Sequence, residues 1–271
     1  MSDQPDQTTT TATTATTADV FDAVFSAYER SPRVRELFRA DFDPSLPPEV
    51  ELFSFTPSDA LRLIALALDV AAGDTLVDLA CGRGGPGMWV ARETGARLVG
   101  VDVSPVAVAQ AQRRAADFGL SGRAEFRVGA FAETAEILRP AMADGVMCVD
   151  ALHFAPDPLA AARDVARILR PGRTFALTTW EGPRNDAGYP AELAGTLVAA
   201  GFVDVNVEEH PEWDERRRAL YVAALELEPG DDTALANLQR EASVALPQMA
   251  EQRRLLITAR SGSRTGRNSA R

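Results

Sequence analysis

The stretch Val77-Asp78-Leu79-Ala80-Cys81-Gly82-Arg83-Gly84-Gly85-Pro86-Gly87 joins an acid to a run of glycines. Between a strand and a helix, glycines let backbone N–H groups and the helix N-terminus approach a ligand, because no Cβ stands in the way. Gly82, Gly84 and Gly87 satisfy G-x-G-x-x-G, the fingerprint of a loop that cradles a dinucleotide pyrophosphate. Asp78 speaks against that ligand, since a carboxylate at a strand end suits an ammonium group better than an anionic pyrophosphate. About 20 residues past the loop, Asp102 closes the run VGVD, where an acid can accept hydrogen bonds from both hydroxyls of a ribose. That acid fits a dinucleotide and any other adenosyl ligand equally.

The elements that must position these residues follow from periodicity. After Gly73, the runs TLVDLA, RLVGVDV, AEFRVGA, GVMCVDA and RTFALTTW are short and apolar, with Ala-rich amphipathic segments between them. Such β-α-β alternation predicts an α/β fold, a Rossmann-like doubly wound sheet with helices on both faces and ligands at the carboxyl ends of the strands. GFVDVNVEEH and RRLLITAR add a sixth and a seventh strand. Between these two, a long helical stretch from about Asp214 to Met249 is the candidate lid. Upstream, DVFDAVFSAYERSPRVRELF reads as cap helices, and SFTPSDALRLIALALDVAAG as a helix from near Pro57 to Gly73. The expected organisation is a low-complexity tail (1–18), a helical cap (19–72), a Rossmann-like core (73–210), a helical lid (211–250), a final core strand (251–260) and a second tail (261–271).

Taken together, VDLACGRGGPG, VGVDVS, GVMCVDALHF and LRPGRTFALTTW resemble the class I S-adenosylmethionine-dependent methyltransferases, especially the small-molecule branch of bacterial secondary metabolism. The likeness runs from about Asp74 to Trp180. It implies a seven-stranded sheet with the last strand antiparallel, and S-adenosylmethionine as cofactor. In such proteins the loop acid approaches the methionyl amino end, the glycine turn lies along the methionine and ribose, the second acid binds the ribose, and the next residue packs on adenine. Those roles fall on Asp78, on Ala80, Gly82 and Gly84, on Asp102, and on Val103. Ala80 replaces the family's first glycine. Ala130 stands where many members carry an Asp for the adenine amino group, so adenine would meet backbone at Ala130 and Phe131.

Methyl transfer from a sulfonium is an in-line displacement, for which a protein aligns the nucleophile, excludes water and, for a protonated nucleophile, offers a base. His153, one of 2 histidines, follows the fourth strand, where the methyl should point; its imidazole is either a proton acceptor or a packing residue that shapes the pocket. Asp150 at the same strand end either faces the methionine backbone or is satisfied by loop amides. Trp180 could offer its face to the sulfonium or to an aromatic substrate. Glu181 is a base if desolvated, and otherwise a solvated loop acid. Tyr28 resembles a tyrosine that closes over the cofactor in related enzymes. Phe55, Thr56, Trp213 and Tyr221 are further candidates for the chamber, whereas His210 and the charge run DERRRA read as surface.

Composition narrows the partners. With 28 basic and 39 acidic residues the formal net charge is −11, a repulsive field for nucleic acid. No Asn-Pro-Pro-Tyr or Asp-Pro-Pro-Tyr follows the fourth strand. No apolar run approaches the ~18 residues of a membrane helix, and Cys81 and Cys148 have no metal spacing, so neither membrane nor metal is expected. The expected partner is a small-molecule substrate in a cytoplasmic setting, with a homodimer left open. Oxygen, nitrogen or carbon is the acceptor atom, an electron-rich aromatic carbon such as an indole among them. Two other readings remain open. A nicotinamide-dependent oxidoreductase has G-x-G-x-x-G in its favour, but Asp78 and the lack of any lysine against it. A non-methylating cyclase would keep S-adenosylmethionine as a scaffold.

Overall fold

The computed structural model describes residues 16–182 and 192–262. The terminal tails expected over 1–18 and 261–271 lie largely outside the described residues, as does the start of the helix-like segment YPAELAGTLVAA.

Seven strands form one sheet in the order β3-β2-β1-β4-β5-β7-β6. They are β1 (Thr75–Leu79), β2 (Arg97–Asp102), β3 (Ala124–Val128), β4 (Ala143–Val149), β5 (Leu169–Glu181), β6 (Phe202–Glu209) and β7 (Arg253–Ser261). β1 to β5 pair in parallel, and β7 lies antiparallel between β5 and β6. The apolar runs of the central strands follow from this topology: β4 is buried along its whole length, as a parallel strand covered on both faces must be. The strand order reverses between β1 and β4, and the crevice at such a reversal is where ligands bind in sheets of this kind.

The crossover helices begin on side chains or backbone suited to a first turn. α4 (Gly85–Thr94) starts behind Gly84, at φ 80°, with Pro86 in its first turn. α5 (Pro105–Arg114) starts behind Ser104, whose hydroxyl accepts from Ala107 N, and α7 (Pro158–Ile168) behind Asp157 in the same way. In each the proline occupies a place where a backbone donor is not needed. α6 (Thr134–Ile137) and α8 (Leu193–Ala199) are short.

The N-terminal segment folds as α1 (Thr17–Arg30), α2 (Pro32–Leu37) and α3 (Ser58–Leu68). α1 begins two residues earlier than its apolar pattern, because Thr16 and Asp19 form a capping box. α3 stops short of Gly73, at Asp69, which takes a left-handed conformation. The helical stretch after β6 is two helices rather than one, α9 (Pro211–Leu225) and α10 (Thr233–Gln248). Pro229 and Gly230 (φ 56°) fall between them, and Asp232 caps the second. Among the described residues, no helix is long and apolar enough to cross a membrane.

The cap is locked to the core at the start of α4. Arg114 donates to the carbonyls of Arg83 (2.6 Å), Glu49 (2.7 Å) and Val50 (3.0 Å), holding the segment before α3 against the glycine loop. A Cβ on Gly85 would lie 2.2 Å from the Val50 carbonyl oxygen. Gly85→Ala is therefore expected to cost about 2 kcal/mol through overpacking, read as a lower urea midpoint with unchanged slope. An unchanged midpoint would mean that the cap does not press on this loop in solution.

Candidate active site

At the carboxyl end of β1 the chain turns through left-handed backbone at Ala80 (φ 54°) and Gly82 (φ 51°). At the end of neighbouring β4, Asp150 (φ 53°) does the same. Left-handed backbone costs an L-residue about 1 kcal/mol or more, so Ala80 holds a strained form of the turn that glycine would make freely. These turns carry the chain sharply off the sheet and open a cavity of about 850 Å³ over the strand ends.

Two carboxylates floor one end of it. Asp102 is tied at both oxygens: Gly82 N–H donates to Oδ2 (2.7 Å) and Ser104 N–H to Oδ1 (2.9 Å). Burial raises its carboxyl above the usual range, against the pull of those two bonds. Asp78 is fully enclosed, and its Oδ1 has no hydrogen-bond partner among the described residues. Burial, then the nearby Asp102 charge, push its carboxyl well up, and one backbone bond from Gly87 only partly opposes them. Gly87 must be glycine for this contact, since a Cβ there would sit 2.3 Å from Asp78 Oδ2. A dry carboxylate with an unmatched oxygen is costly unless a cation or donor completes it.

Helix α1 walls this end with Phe21, Val24, Phe25 and Tyr28. It docks through Asp22, which accepts from the Ser104 hydroxyl and from Val106 N–H (3.2 Å). Arg83 in the glycine loop lies over the Tyr28 ring (5.1 Å) and pairs with Glu51 (2.9 Å).

The opposite end is built on a buried ion pair. Asp150 accepts from Arg254 Nη1 (2.5 Å), from the Thr178 hydroxyl (2.6 Å) and from Phe55 N–H (3.0 Å). Burial alone would raise its carboxyl; the Arg254 charge and these hydrogen bonds outweigh it and hold the group below its ordinary value. Antiparallel register places Arg254 of β7 opposite Trp180 of β5, and the guanidinium lies 4.1 Å from the indole centre. Arg217 of α9 lies over the same ring at 4.5 Å, and it pairs with Asp214 (3.0 Å), which also accepts from the Trp180 N–H (3.0 Å). His153 meets the edge of Trp180 with ring centres 6.2 Å apart. Burial first, with Arg254 adding to it and Asp150 opposing, takes the His153 imidazole down to about 4, so it is neutral at physiological pH.

Of the residues singled out in the sequence, Asp78, Ala80, Gly82, Asp102, Val103, Ala130, Phe131, Asp150, His153, Tyr28, Phe55, Trp180 and Tyr221 line this one cavity. Several others stand elsewhere. Gly84 faces Met88, Phe126 and Ala111 and serves packing. Glu181 is neither solvated nor in the cavity: it accepts from Leu193 N–H (2.7 Å) and pairs with Arg253 (3.2 Å), tying β5 to α8 and β7. Thr56 is buried behind Asp150, and Trp213 is buried beneath His210, with rings stacked at 3.9 Å. Tyr28 does reach the cavity, but its hydroxyl donates to the Leu52 carbonyl and burial drives its ionisation upward, which makes it a fixed donor rather than a proton acceptor. Asp150 is paired with Arg254 and tied to Thr178 and Phe55, which braces the strand ends. Two guanidiniums lie over the Trp180 ring.

Sequence reasoning missed Arg254, Arg217 and Glu241. Arg254 opens a strand-like run in which alternation alone could have assigned it inward. Arg217 sits inside DERRRA, whose helical period, not its charge, separates the buried Arg217 from the half-buried Arg216 and the exposed Arg218.

A Rossmann-like sheet of this order, with acids tipping β1 and β2 beneath one cavity, defines an adenosyl-ligand-binding α/β protein. Comparison with known proteins narrows the class. Residues 76–172 match the family model described as a methyltransferase domain. The chain is 31% identical over 173 residues to 27-O-demethylrifamycin SV methyltransferase of Amycolatopsis mediterranei, covering 63% of this chain and 61% of that protein. It is 30% identical over 157 residues to the ubiquinone biosynthesis O-methyltransferase of Xanthomonas campestris, covering 58% and 60%. The aligned part thus spans about three-fifths of these relatives' length. Among solved structures, phosphoethanolamine N-methyltransferase 2 of Haemonchus contortus bound to S-adenosyl-L-methionine superposes with a TM-score of 0.71 at 19% identity, over 91% of this chain and 58% of that one. The cyclase SpnF superposes with a TM-score of 0.63 at 24% identity, over 75% and 81%. Over residues 76–172 the chain carries a methyltransferase domain, and the curated relatives it resembles over about three-fifths of their length are methyltransferases.

Two outcomes follow from the buried groups. A histidine whose pKa falls from about 6.5 unfolded to about 4 folded takes up its proton more readily in the unfolded chain, so stability drops as pH falls between those values. The expected loss is roughly 2 kcal/mol, measured as urea midpoints at pH 7 and pH 4.5, and His153→Gln should reduce the difference. Separately, Asp150→Asn leaves Arg254 buried without its counter-charge and should cost about 3–5 kcal/mol; a loss below 1 kcal/mol would show that the pair is not formed as described.

Proposed function

We propose that the protein transfers a methyl group from S-adenosylmethionine to a small-molecule acceptor held between His153, Trp180 and the α9–α10 pair. The observation that carries this reading is Asp78: a dry carboxylate with one unmatched oxygen, set at a glycine turn beside a ribose-type acid. A pyrophosphate would worsen that charge, whereas the ammonium of a methionyl group would complete it. Asp102 would receive the ribose hydroxyls, and Val103, Ala130 and Phe131 would flank the base.

When bound, the cofactor supplies a methyl group activated by a positively charged sulfur. The chain then has to align and dehydrate the acceptor. The aromatic wall of Phe55, Trp180 and Tyr221 and the helix α1 do this by excluding water from the cavity. His153, neutral and weakly basic, can accept a hydrogen bond from an acceptor without holding a proton against it. This weak basicity favours an acceptor atom that is already nucleophilic, an amine or an electron-rich aromatic carbon such as an indole, over an alcohol that needs a strong base. Oxygen acceptors with an acidic proton remain compatible.

Calorimetric titration with S-adenosylmethionine and, separately, with NAD(H) tests the reading. Asp78→Asn should weaken S-adenosylmethionine binding by at least ~10-fold while leaving the thermal midpoint of the ligand-free protein unchanged or higher, because a buried charge is removed. Asp102→Ala should weaken binding as well. Heat from NAD(H) alone would return the glycine pattern to the dinucleotide class. With labelled cofactor, an acceptor that rearranges without taking up label would point to cyclisation instead.

A further inference from the structure

One polar group of the cavity has no part in holding the cofactor or bracing the sheet. Helix α10 presents Ala234, Asn237, Leu238, Glu241, Ala245 and Gln248 to the cavity at successive helical turns. Asn237 is occupied by Arg240, whose Nη2 donates to its carbonyl oxygen at 2.5 Å. Glu241 differs. Its Oε1 accepts from the Tyr221 hydroxyl (2.9 Å), while no described residue donates to Oε2. The side chain is exposed and borders the cavity, and the protein around it raises its carboxyl, with the Tyr221 bond and the Arg217 charge opposing.

Tyr221 connects Glu241 to the acceptor end. Its ring packs on Phe55 (5.3 Å), Phe55 packs on Trp180 (6.0 Å), and Trp180 on His153 (6.2 Å), so the carboxylate lies along one aromatic wall from the imidazole. We infer that Glu241, held by Tyr221, is a specificity-determining residue that accepts a hydrogen bond from a neutral hydroxyl on a ring-bearing acceptor, at a point removed from the methylated atom; this rests on the methyltransferase reading above. The wall's edge-to-face aromatic contacts suit a flat ring. A hydroxyl donor satisfies Oε2 with one charge-assisted hydrogen bond. An acceptor lacking that donor forgoes this charge-assisted hydrogen bond, and the difference sets the preference.

The test uses the full chain saturated with S-adenosylhomocysteine and three probes of one shape: 2-naphthol, 2-methoxynaphthalene and 2-naphthylmethylamine, followed by tryptophan fluorescence. Wild type is expected to bind the naphthol about 10-fold more tightly than the ether, with the amine weakest. Glu241→Ala should bring naphthol and ether to parity, and Tyr221→Phe should reduce the preference by loosening the carboxylate. S-adenosylhomocysteine affinity, measured on the same samples, reports folding and the cofactor reading independently. Intact cofactor affinity with an unchanged naphthol preference in Glu241→Ala, a preference for the amine, or no binding of any probe to wild type would each overturn the inference. Loss of cofactor binding by wild type would instead overturn the function on which it rests.

Discussion

Asp78 is the constraint around which the site is organised. A carboxylate at the end of a central parallel strand is surrounded by protein on every side except the crevice, so its charge is tolerable only if something arrives to complete it. Its neighbours meet that condition by absence of bulk. Gly87 leaves room for Oδ2, and Gly82 brings an N–H to Asp102 while the Phe25 ring lies where its Cβ would point, at 3.1 Å. The two acids repel each other, and under the proposed function a cationic, hydroxyl-rich ligand spanning both would relieve that repulsion.

The far end of the cavity obeys the opposite rule. There the buried charges of the β4 end, β7 and α9 are paired, Asp150 with Arg254 and Asp214 with Arg217, with Trp180 packed beneath both guanidiniums. Such matched pairs offer little net charge to an incoming molecule. The antiparallel final strand makes that possible. Only because β7 runs between β5 and β6 does Arg254 come level with Trp180 and reach across to the end of β4.

The fold was legible because hydrophobic period changes type along the chain, and strands covered on both faces leave unbroken apolar runs. That Asp78, Gly82 and Asp102 meet at one cavity was legible because local sequence dictates local geometry there, each lying within a few residues of its turn. The acceptor end was not. Asp150 and Arg254 are 104 positions apart, and nothing near either residue announces the other. Glu181 and Trp180 adjoin in sequence, yet strand alternation sends them to opposite sides, one to the cavity and one to α8 and β7. The DERRRA run misled for a related reason, since charge suggests solvent while the helical turn decides which arginine is enclosed. The lid's composition is helical on both sides of Pro229 and Gly230, and the chain divides there into α9 and α10.

Cap and lid differ in how they meet the cavity, and the difference has a physical origin. α1 is fixed to the cofactor end by Asp22 capping α5 and by the Arg83–Glu51 pair beside Tyr28, contacts that do not involve the acceptor. α9 and α10 instead bring Arg217, Tyr221 and Glu241, and those residues contact the aromatic wall and one another rather than the glycine loop. Changes in the α9–α10 pair can therefore alter what the chamber accepts while the strand-end acids stay in register. The sheet fixes the two acids to each other through β1 and β2 pairing, with Asp78 level with Gly100 and Leu79 with Val101, so their spacing is a property of backbone hydrogen bonding. The spacing of Glu241 from His153, by contrast, is a property of side-chain packing across Tyr221, Phe55 and Trp180, which a single substitution can reset.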